Sequence, residues 1–144
     1  MSGVAIIKTV NSSVERFYKP LLLNELWSLV CTQTEQCLRP SPVKLCGIYA
    51  ICNCNRPRVY IGGSVNIYSR WRLHLSQLKH GEHRTAELQQ DWKEGGYESF
   101  VFCVLELCSQ SKIEVQERFW LKICNEYLPS CPYNKYLEAK YVVL

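Results

Sequence analysis

Residues 45–63 contain two short strand-like runs separated by a turn, and this stretch restricts the possible folds more than any other. The runs are LCGIYAIC at 45–52 and RVYIGG at 58–63, and the segment between them is NCNRP. Aromatic and β-branched residues favour extended backbone, whereas the asparagines and the proline favour a turn. The stretch therefore predicts a β-hairpin. Gly62-Gly63 at its end either lets a ligand approach the backbone closely or forms the turn into the next element.

A helix is predicted directly after the hairpin. Its apolar side chains recur every three or four positions, at Ile67, Trp71, Leu75 and Leu78. This spacing places them on one face, which we expect to be buried. Ser64 or Asn66 can cap the start of the helix, and Gly81 can end it.

The remaining pattern predicts an α/β (α+β) fold. A second helix is expected over 85–93, a strand over 99–107 and a last helix over 112–127. With the hairpin and the first helix, the order is β-β-α-α-β-α, which indicates a small sandwich with a three-stranded antiparallel sheet flanked by helices.

The first third of the chain is predicted to be separate from this sheet. Residues 20–37 have a helical pattern that begins at Pro20, and RPSP at 39–42 is typical of a linker. We therefore expect an N-terminal helical extension and linker at 1–44 and one folded domain at 45–144.

Composition points to a folded intracellular protein. Of the 144 residues, 47% are hydrophobic and 21% are charged, as in ordinary globular domains. No apolar run approaches the roughly 18 residues of a membrane span. The N-terminal sequence lacks the features of a secretory signal. We therefore expect a cytoplasmic location and no membrane partner.

The chain holds nine cysteines, an odd number with irregular spacing and no CxxC pair. In an intracellular protein this pattern favours thiols over a disulfide framework or a zinc site. A metal site formed by Cys46, Cys52 and Cys54 stays open as an alternative. A thiol-based redox or metal-binding protein is the broader version of the same alternative.

Positive charge is concentrated in one window of the sequence. The net charge of the chain is +4, but residues 56–84 carry six basic side chains and one acidic one, so the remainder is −1. A local positive patch suits a polyanion such as nucleic acid. The basic residues expected to bind it are Arg56, Arg58, Arg72, Lys79 and Arg84.

Three features interrupt the ordinary pattern of core and surface. Arg70 and His74 lie four apart, so they share one side of the first helix, although a solvated polar face would look the same. Tyr49 and Tyr60 come from paired strands, where their rings can be neighbours or simply pack. Glu117 is the third feature, because it lies on the apolar face of the last helix.

The apolar face around Glu117 is formed by Ile113, Trp120, Cys124 and Tyr127. A carboxylate on such a face must be paired, protonated or bound to a cation, because burying it bare costs several kcal/mol. An ion pair with an arginine and a metal site are both consistent with this position.

Together these residues resemble the GIY-YIG nuclease family. The chain has GIY at 47–49 and YIG at 60–62, followed by SRWRLH with Arg70 and His74, GEH with His83, VQERFW with Glu117 and PYN with Asn134. The pattern covers about residues 45–136 and is most similar to the catalytic domains of GIY-YIG homing endonucleases.

The resemblance implies a divalent-metal-dependent endonuclease that hydrolyses DNA phosphodiester bonds, with Mg²⁺ or Mn²⁺ as cofactor. In this family pattern Glu117 is the metal ligand, Arg70 contacts the scissile phosphate and Tyr49 is the general base. Tyr60 positions the groups around the nucleophile, and His74 contacts the tyrosine or phosphate and relays a proton. The positions that match supporting residues are Gly62, His83 and Asn134.

The alternative function is a catalytically silent DNA-binding accessory module of the same fold. The homing enzymes that the chain resembles usually carry a DNA-binding region after the nuclease domain, whereas about ten residues follow PYN here. We therefore expect sequence specificity to be low, or to come from residues 1–44, from a homodimer partner or from an accessory protein, in a role related to homing or to mobile elements.

Overall fold

The structure is a computed structural model that describes residues 30–33, 44–127 and 132–134. The strands in these residues are β1 (Val30–Gln33), β2 (Gly47–Asn53), β3 (Val59–Ser64) and β4 (Phe100–Leu107). The α-helices are α1 (Ile67–Lys79), α2 (Ala86–Gly95) and α3 (Ile113–Tyr127). The strands form one antiparallel sheet in the order β1-β4-β2-β3. No helix in the described ranges has the length and apolar character needed to span a membrane.

The predicted fold class is confirmed. Strands β2, β3 and β4 are the three predicted antiparallel strands, to which β1 adds a fourth at the edge, and from β2 onward the elements follow the expected β-β-α-α-β-α order. The predicted hairpin is present, and its register places Tyr49 opposite Gly62 and Ile51 opposite Tyr60. The two family segments therefore face each other across one strand pair.

The predicted helix over 20–37 is wrong at residues 30–33. These residues form β1, which pairs with β4 and places Val30 opposite Val104. A sheet edge offers unpaired N–H and C=O groups, and a short segment containing valine and threonine can satisfy them. The rest of the predicted helix and the 39–42 linker lie outside the described residues, and the division of the chain at residue 44 stays a prediction.

The sheet separates two apolar cores because side chains alternate along a strand. Ile48 and Ala50 of β2 face α3, where they pack with Trp120 and Leu121. Tyr49 lies between them in sequence and faces α1 instead. The tyrosine of the GIY segment is therefore directed at the helix that carries Arg70 and His74.

Helix α1 buries its predicted apolar face against the sheet. The four residues of that face, Ile67, Trp71, Leu75 and Leu78, are all buried. Burying a large apolar side chain stabilises the fold by about 1.5–3 kcal/mol. Of the two candidate caps, Asn66 is the one used, since its Oδ1 accepts from Ser69 N at 3.2 Å. Gly81, with φ of 72°, follows the end of the helix, as predicted.

The PYN segment extends the sheet at the edge of β3. Pro132 forms a parallel bridge with Val59, and Tyr133 N donates to Val59 O at 2.8 Å. The side-chain amide of Asn134 then pairs with both backbone groups of Ile61, accepting from its N at 3.0 Å and donating to its O at 2.8 Å. Asn134 therefore supports the strand that carries Tyr60, because its side-chain amide bonds to Ile61 as a peptide group of a neighbouring strand would.

Replacing Asn134 with alanine is expected to lower the free energy of unfolding by about 1–3 kcal/mol, because both backbone groups of Ile61 lose their partners. Urea denaturation followed by circular dichroism measures this change. Asn125→Ala is the matched control, since Asn125 is exposed on α3. If both variants unfold at the same urea concentration, Asn134 does not support the edge of β3.

Candidate active site

A cavity of about 480 Å³ lies beside α1, β3 and α3. All five residues predicted to be catalytic line it, namely Tyr49, Tyr60, Arg70, His74 and Glu117. The three predicted supporting residues Gly62, His83 and Asn134 line it as well. Residues separated by up to 85 positions in the chain are thus brought to one place.

Hydrogen bonds connect the aromatic residues of the cavity. Tyr49 Oη lies 2.7 Å from His74 Nε2, and His74 Nδ1 lies 2.8 Å from His83 Nε2. The Tyr60 ring packs edge-on against both histidine rings, with centroids 5.0 and 5.9 Å away. Tyr49 and Tyr60 stack at 6.4 Å. The tyrosines therefore form one polar aromatic cluster with the two histidines.

Glycines make room for the reactive side chains. A methyl group added at Gly62 would lie 2.4 Å from Tyr49 Oη, and one added at Gly63 would lie 3.2 Å from Glu117 Oε1. Real atoms cannot approach as closely as the first distance. At Gly47 the added carbon would lie 1.9 Å from the carbonyl oxygen of Glu106. The glycines of both family segments are therefore required by close packing.

Both cavity histidines are neutral. Burial, together with the neighbouring His83 and Arg70, lowers the pKa of His74 to about 3. Burial also lowers the pKa of His83. Although Arg70 and His74 share one side of α1, His74 adds no positive charge there, because a desolvated imidazole next to a cation does not hold a second proton.

The positive charge at this cavity comes from arginines at its rim. Arg70 and Arg84 both line the cavity, and both are exposed to solvent. An exposed guanidinium can bind a phosphate with two parallel hydrogen bonds. The rim can therefore receive a phosphate group beside Tyr49.

The Tyr49 hydroxyl is a neutral phenol at neutral pH. Its side chain is 1% exposed. Burial raises its pKa well above 10, with further increases from Tyr60 and Glu117, while Arg70 lowers it. Arg70 is thus the neighbour that favours the phenolate, but burial outweighs its effect on the pKa of Tyr49.

Glu117 faces the cavity from α3 and is 8% exposed, which confirms that its carboxylate lies on the inner side of the helix. Trp120 and Cys124 on the same face are buried, and Ile113 is half-buried. The side chain of Tyr127 lies outside the described part of the chain. Because residue 63 is a glycine, it places no side chain in the space in front of the Glu117 carboxylate.

This donor set fits a hard cation held by few protein ligands. Among the described residues, no three His, Cys, Asp or Glu side chains are arranged to hold a metal ion. Mg²⁺ accepts one carboxylate and completes its shell with water and phosphate oxygens. Because no such group of side chains occurs among the described residues, the alternative metal site at Cys46, Cys52 and Cys54 gains no support. Six cysteines form no disulfides, namely Cys46, Cys52, Cys54, Cys103, Cys108 and Cys124.

Arg56 and Arg58, predicted to bind nucleic acid, lie at the hairpin turn and are not brought to the cavity. Arg56 forms ion pairs with Asp91 at 3.1 Å and Glu94 at 3.4 Å. Arg58 pairs with Glu87 and lies over the ring of Tyr133 at 4.4 Å. The three acidic partners are spaced four and three residues apart on α2, a helical pattern visible in the sequence.

The other predicted basic residues occupy the surface of α1 and the loop after it. Arg72 and Lys79 are exposed on α1 and do not line the cavity, whereas Arg84 does. The cavity also includes Leu73 and Thr85, which were not predicted. Leu73 lies three positions after Arg70, so helical spacing could have identified it. Thr85 contributes a backbone amide that donates to His83 Nδ1. No sequence pattern identifies a backbone contact of this kind.

Comparison with known proteins agrees with this arrangement. The family model described as the GIY-YIG catalytic domain matches residues 45–129. The chain is 33% identical over 81 residues to Intron-associated endonuclease 1 of Enterobacteria phage T4. That match covers 55% of the chain but only 33% of the phage protein, so the chain spans about a third of the length of this relative.

Solved structures show the same relationship. The catalytic domain of homing endonuclease I-TevI has a TM-score of 0.55 with 27% identity, covering 62% of this chain and 99% of that domain. A mutant of the catalytic domain of intron endonuclease I-TevI gives a TM-score of 0.56 with 29% identity, covering 62% and 92%. The chain therefore belongs to the GIY-YIG nuclease family and is related to the homing endonucleases of that family.

Proposed function

We propose that this chain is a divalent-metal-dependent DNA endonuclease that hydrolyses phosphodiester bonds, with Mg²⁺ or Mn²⁺ as cofactor. The observation that carries the proposal is the convergence of Tyr49, Arg70 and Glu117 on one solvent-accessible cavity. Tyr49 supplies a proton acceptor, Arg70 a cation that binds phosphate, and Glu117 a hard oxygen ligand for the metal ion. The names of the phage relative and of the I-TevI domain support a role related to homing or to mobile elements.

Arg70 has the role of binding the scissile phosphate. Its side chain is exposed at the cavity rim, so a DNA backbone can reach it without rearrangement of the core. Phosphodiester hydrolysis adds negative charge to the phosphate in the transition state. A preorganised guanidinium stabilises this charge more than it stabilises the ground state, which accelerates the reaction.

Tyr49 has the role of general base toward the attacking water. As a phenol it cannot accept a proton, so the reaction draws on the small fraction present as phenolate. The positive charge of Arg70 increases that fraction, whereas burial decreases it. Tyr60 stacks beside Tyr49 and lines the same cavity, so it can position the groups around the nucleophile.

Glu117 is the residue that would hold the cation. Its carboxylate faces the cavity across from Gly63, and a single protein ligand leaves the other positions to water and phosphate. When bound there, Mg²⁺ supplies Lewis-acid stabilisation of charge on the phosphate and on the leaving 3′ oxygen. Arg70 would contact the phosphate from α1, whereas Glu117 would hold the cation from α3.

A cleavage assay tests the proposal. Supercoiled plasmid, single-stranded DNA and branched DNA are incubated with the protein, with Mg²⁺ or with a chelator. We expect Mg²⁺-dependent cleavage of at least one substrate by the wild type and none by Glu117→Ala. Equal product from both proteins on every substrate contradicts the proposal. Salt-sensitive DNA binding without cleavage and without a metal requirement would instead support the silent accessory module.

The same plasmid assay addresses partners. One catalytic cavity cuts one strand at a time, so linear product requires two monomers or two successive nicks. Comparing nicked with linear product while measuring the mass of the protein in solution distinguishes a homodimer from a monomer. We propose that a homodimer partner or an accessory protein contributes to the sequence specificity of cleavage.

A further inference from the structure

A backbone amide begins the hydrogen-bond series that ends at Tyr49. Thr85 N lies 3.1 Å from His83 Nδ1. A peptide N–H donates and never accepts, so His83 Nδ1 must accept and can carry no hydrogen. This assignment depends on the position of the peptide, because threonine at this site uses no side-chain atom in the bond.

The amide determines the direction of the two bonds that follow. A neutral imidazole without hydrogen on Nδ1 has it on Nε2. His83 Nε2 lies 2.8 Å from His74 Nδ1, so His83 donates and His74 Nδ1 accepts. The hydrogen of His74 is then on Nε2, which lies 2.7 Å from Tyr49 Oη. His74 therefore donates to Tyr49. Burial supports the neutral state of both rings, since it lowers both of their pKa values.

We infer that the Thr85 amide, acting through His83, holds His74 as a hydrogen-bond donor to the Tyr49 oxygen. The opposite direction, with Tyr49 donating to His74, would require a hydrogen on His83 Nδ1. That hydrogen would point at the hydrogen of the Thr85 amide, and two donors facing each other form no bond. The loop between α1 and α2 thus selects one tautomer for each of the two histidines.

The direction of these bonds defines what the histidines can do for Tyr49. The hydroxyl hydrogen of Tyr49 points away from His74, and the Nε2–H of His74 favours the charged form of the oxygen it binds. A proton leaving Tyr49 cannot pass along the histidines, because the series ends at an amide that has no acceptor. His74 is therefore a donor that stabilises the Tyr49 phenolate, in contrast to the proton relay expected from the family resemblance. His83 is a positioning residue that acts through His74.

A third histidine provides an internal control. His80 Nδ1 lies 2.7 Å from the carbonyl oxygen of Ser76. A carbonyl only accepts, so His80 carries its hydrogen on Nδ1, the opposite arrangement to His74 and His83. The chain has three histidines in all, so only three imidazole rings need to be assigned.

Long-range ¹H–¹⁵N correlation spectra of the full chain at pH 8, without metal or DNA, identify the protonated nitrogen of each imidazole. We expect hydrogen on Nε2 of His74 and His83 and on Nδ1 of His80. Hydrogen on Nδ1 of His74 would overturn the inference. The role assigned to Tyr49 rests on the proposed function, but the tautomers do not. A protein with the expected tautomers that cuts no DNA contradicts only the proposed function, and an active protein with reversed tautomers contradicts only this inference.

Two substitutions at residue 85 test whether the Thr85 amide sets the direction of the hydrogen bonds between His83, His74 and Tyr49. Thr85→Pro removes the amide hydrogen, and the φ of −86° at this position is near the range of proline. Thr85→Ala keeps the amide and loses no capping bond, since the threonine side chain makes none. We expect wild-type tautomers in the alanine variant and a mixture at His83 in the proline variant. A single unchanged tautomer in the proline variant would contradict the role of the amide.

A variant at residue 83 keeps the test decisive if the proline variant does not fold. His83→Phe preserves the ring that stacks on His74 at 5.1 Å but removes the donor. We expect the His74 signals to show a mixture of tautomers in this variant. If His74 keeps its hydrogen entirely on Nε2 without His83, its orientation is set elsewhere and the inference fails.

Discussion

Replacing Arg70 with alanine is expected to slow DNA cleavage by about 10²–10³-fold, the usual loss for removing one preorganised donor to a developing negative charge. Arg70 is an exposed cation on the cavity rim, and it is also the neighbour that lowers the pKa of Tyr49. Its loss therefore affects both the phosphate and the base. Single-turnover cleavage at saturating protein measures the chemical step separately from binding.

Arg72→Ala is the matched control for Arg70→Ala. Arg72 is also an exposed arginine of α1, but it does not line the cavity. We expect weaker DNA binding and a smaller dependence of binding on salt, with a single-turnover rate at saturation within about twofold of the wild type. The single-turnover rate of Arg70→Lys should lie between those of Arg70→Ala and the wild type, because lysine keeps the charge but not the planar pair of donors. Equal losses for Arg70→Ala and Arg72→Ala would contradict a catalytic role for Arg70.

The parts of the fold that the sequence predicts are those specified by local patterns. The hairpin depends on residues 45–63 and α1 on a repeat of about four residues, so neither needs knowledge of distant partners. Strand β1 differs, because Val30 pairs with Val104, more than seventy positions away. The helical pattern over 20–37 gave the wrong structure at 30–33, since only the open edge of β4 favours a strand there.

Charge states in the cavity likewise depend on residues that are distant in sequence, whereas positions on a helix are set locally. The spacing of Arg70 and His74 on α1 is local, and the structure confirms that they adjoin one cavity. The neutrality of His74 depends on burial and on His83, which arrives from the loop after α1. The inward position of Glu117 was predicted because an acidic residue on an apolar helical face is itself a local signal. Whether a polar residue is charged is a property of its surroundings, which are distant in sequence.

The placement of Tyr49 connects the glycines, the histidines and the hairpin edge. Gly62 allows its hydroxyl to approach the strand opposite, and Asn134 holds that strand from the other side. His74 bonds the same hydroxyl at 2.7 Å. These contacts fix one oxygen within a buried site, so the reaction should depend steeply on whether that oxygen carries a proton.

Tyr49→Phe is expected to reduce the cleavage rate by about 10²–10⁴-fold, the range for removing a general base. Phenylalanine keeps the ring that packs against Trp71 and removes only the hydroxyl. The wild-type rate should also rise about tenfold per pH unit between about pH 6 and 9. The reason is that the pKa of Tyr49 lies well above 10, so the phenolate fraction grows tenfold per unit below it. His74, with a pKa of about 3, adds no inflection in this range.

The pH dependence distinguishes a base from a residue that only packs. In Tyr49→Phe the remaining activity should lose the tenfold slope, because the group that must deprotonate is absent. Tyr68→Phe is the control, since Tyr68 is a half-buried tyrosine of α1 that does not line the cavity, and it should keep both the rate and the slope. If Tyr49→Phe is slow but keeps the slope, another group accepts the proton from water, and Tyr49 contributes to catalysis through its hydrogen bond alone.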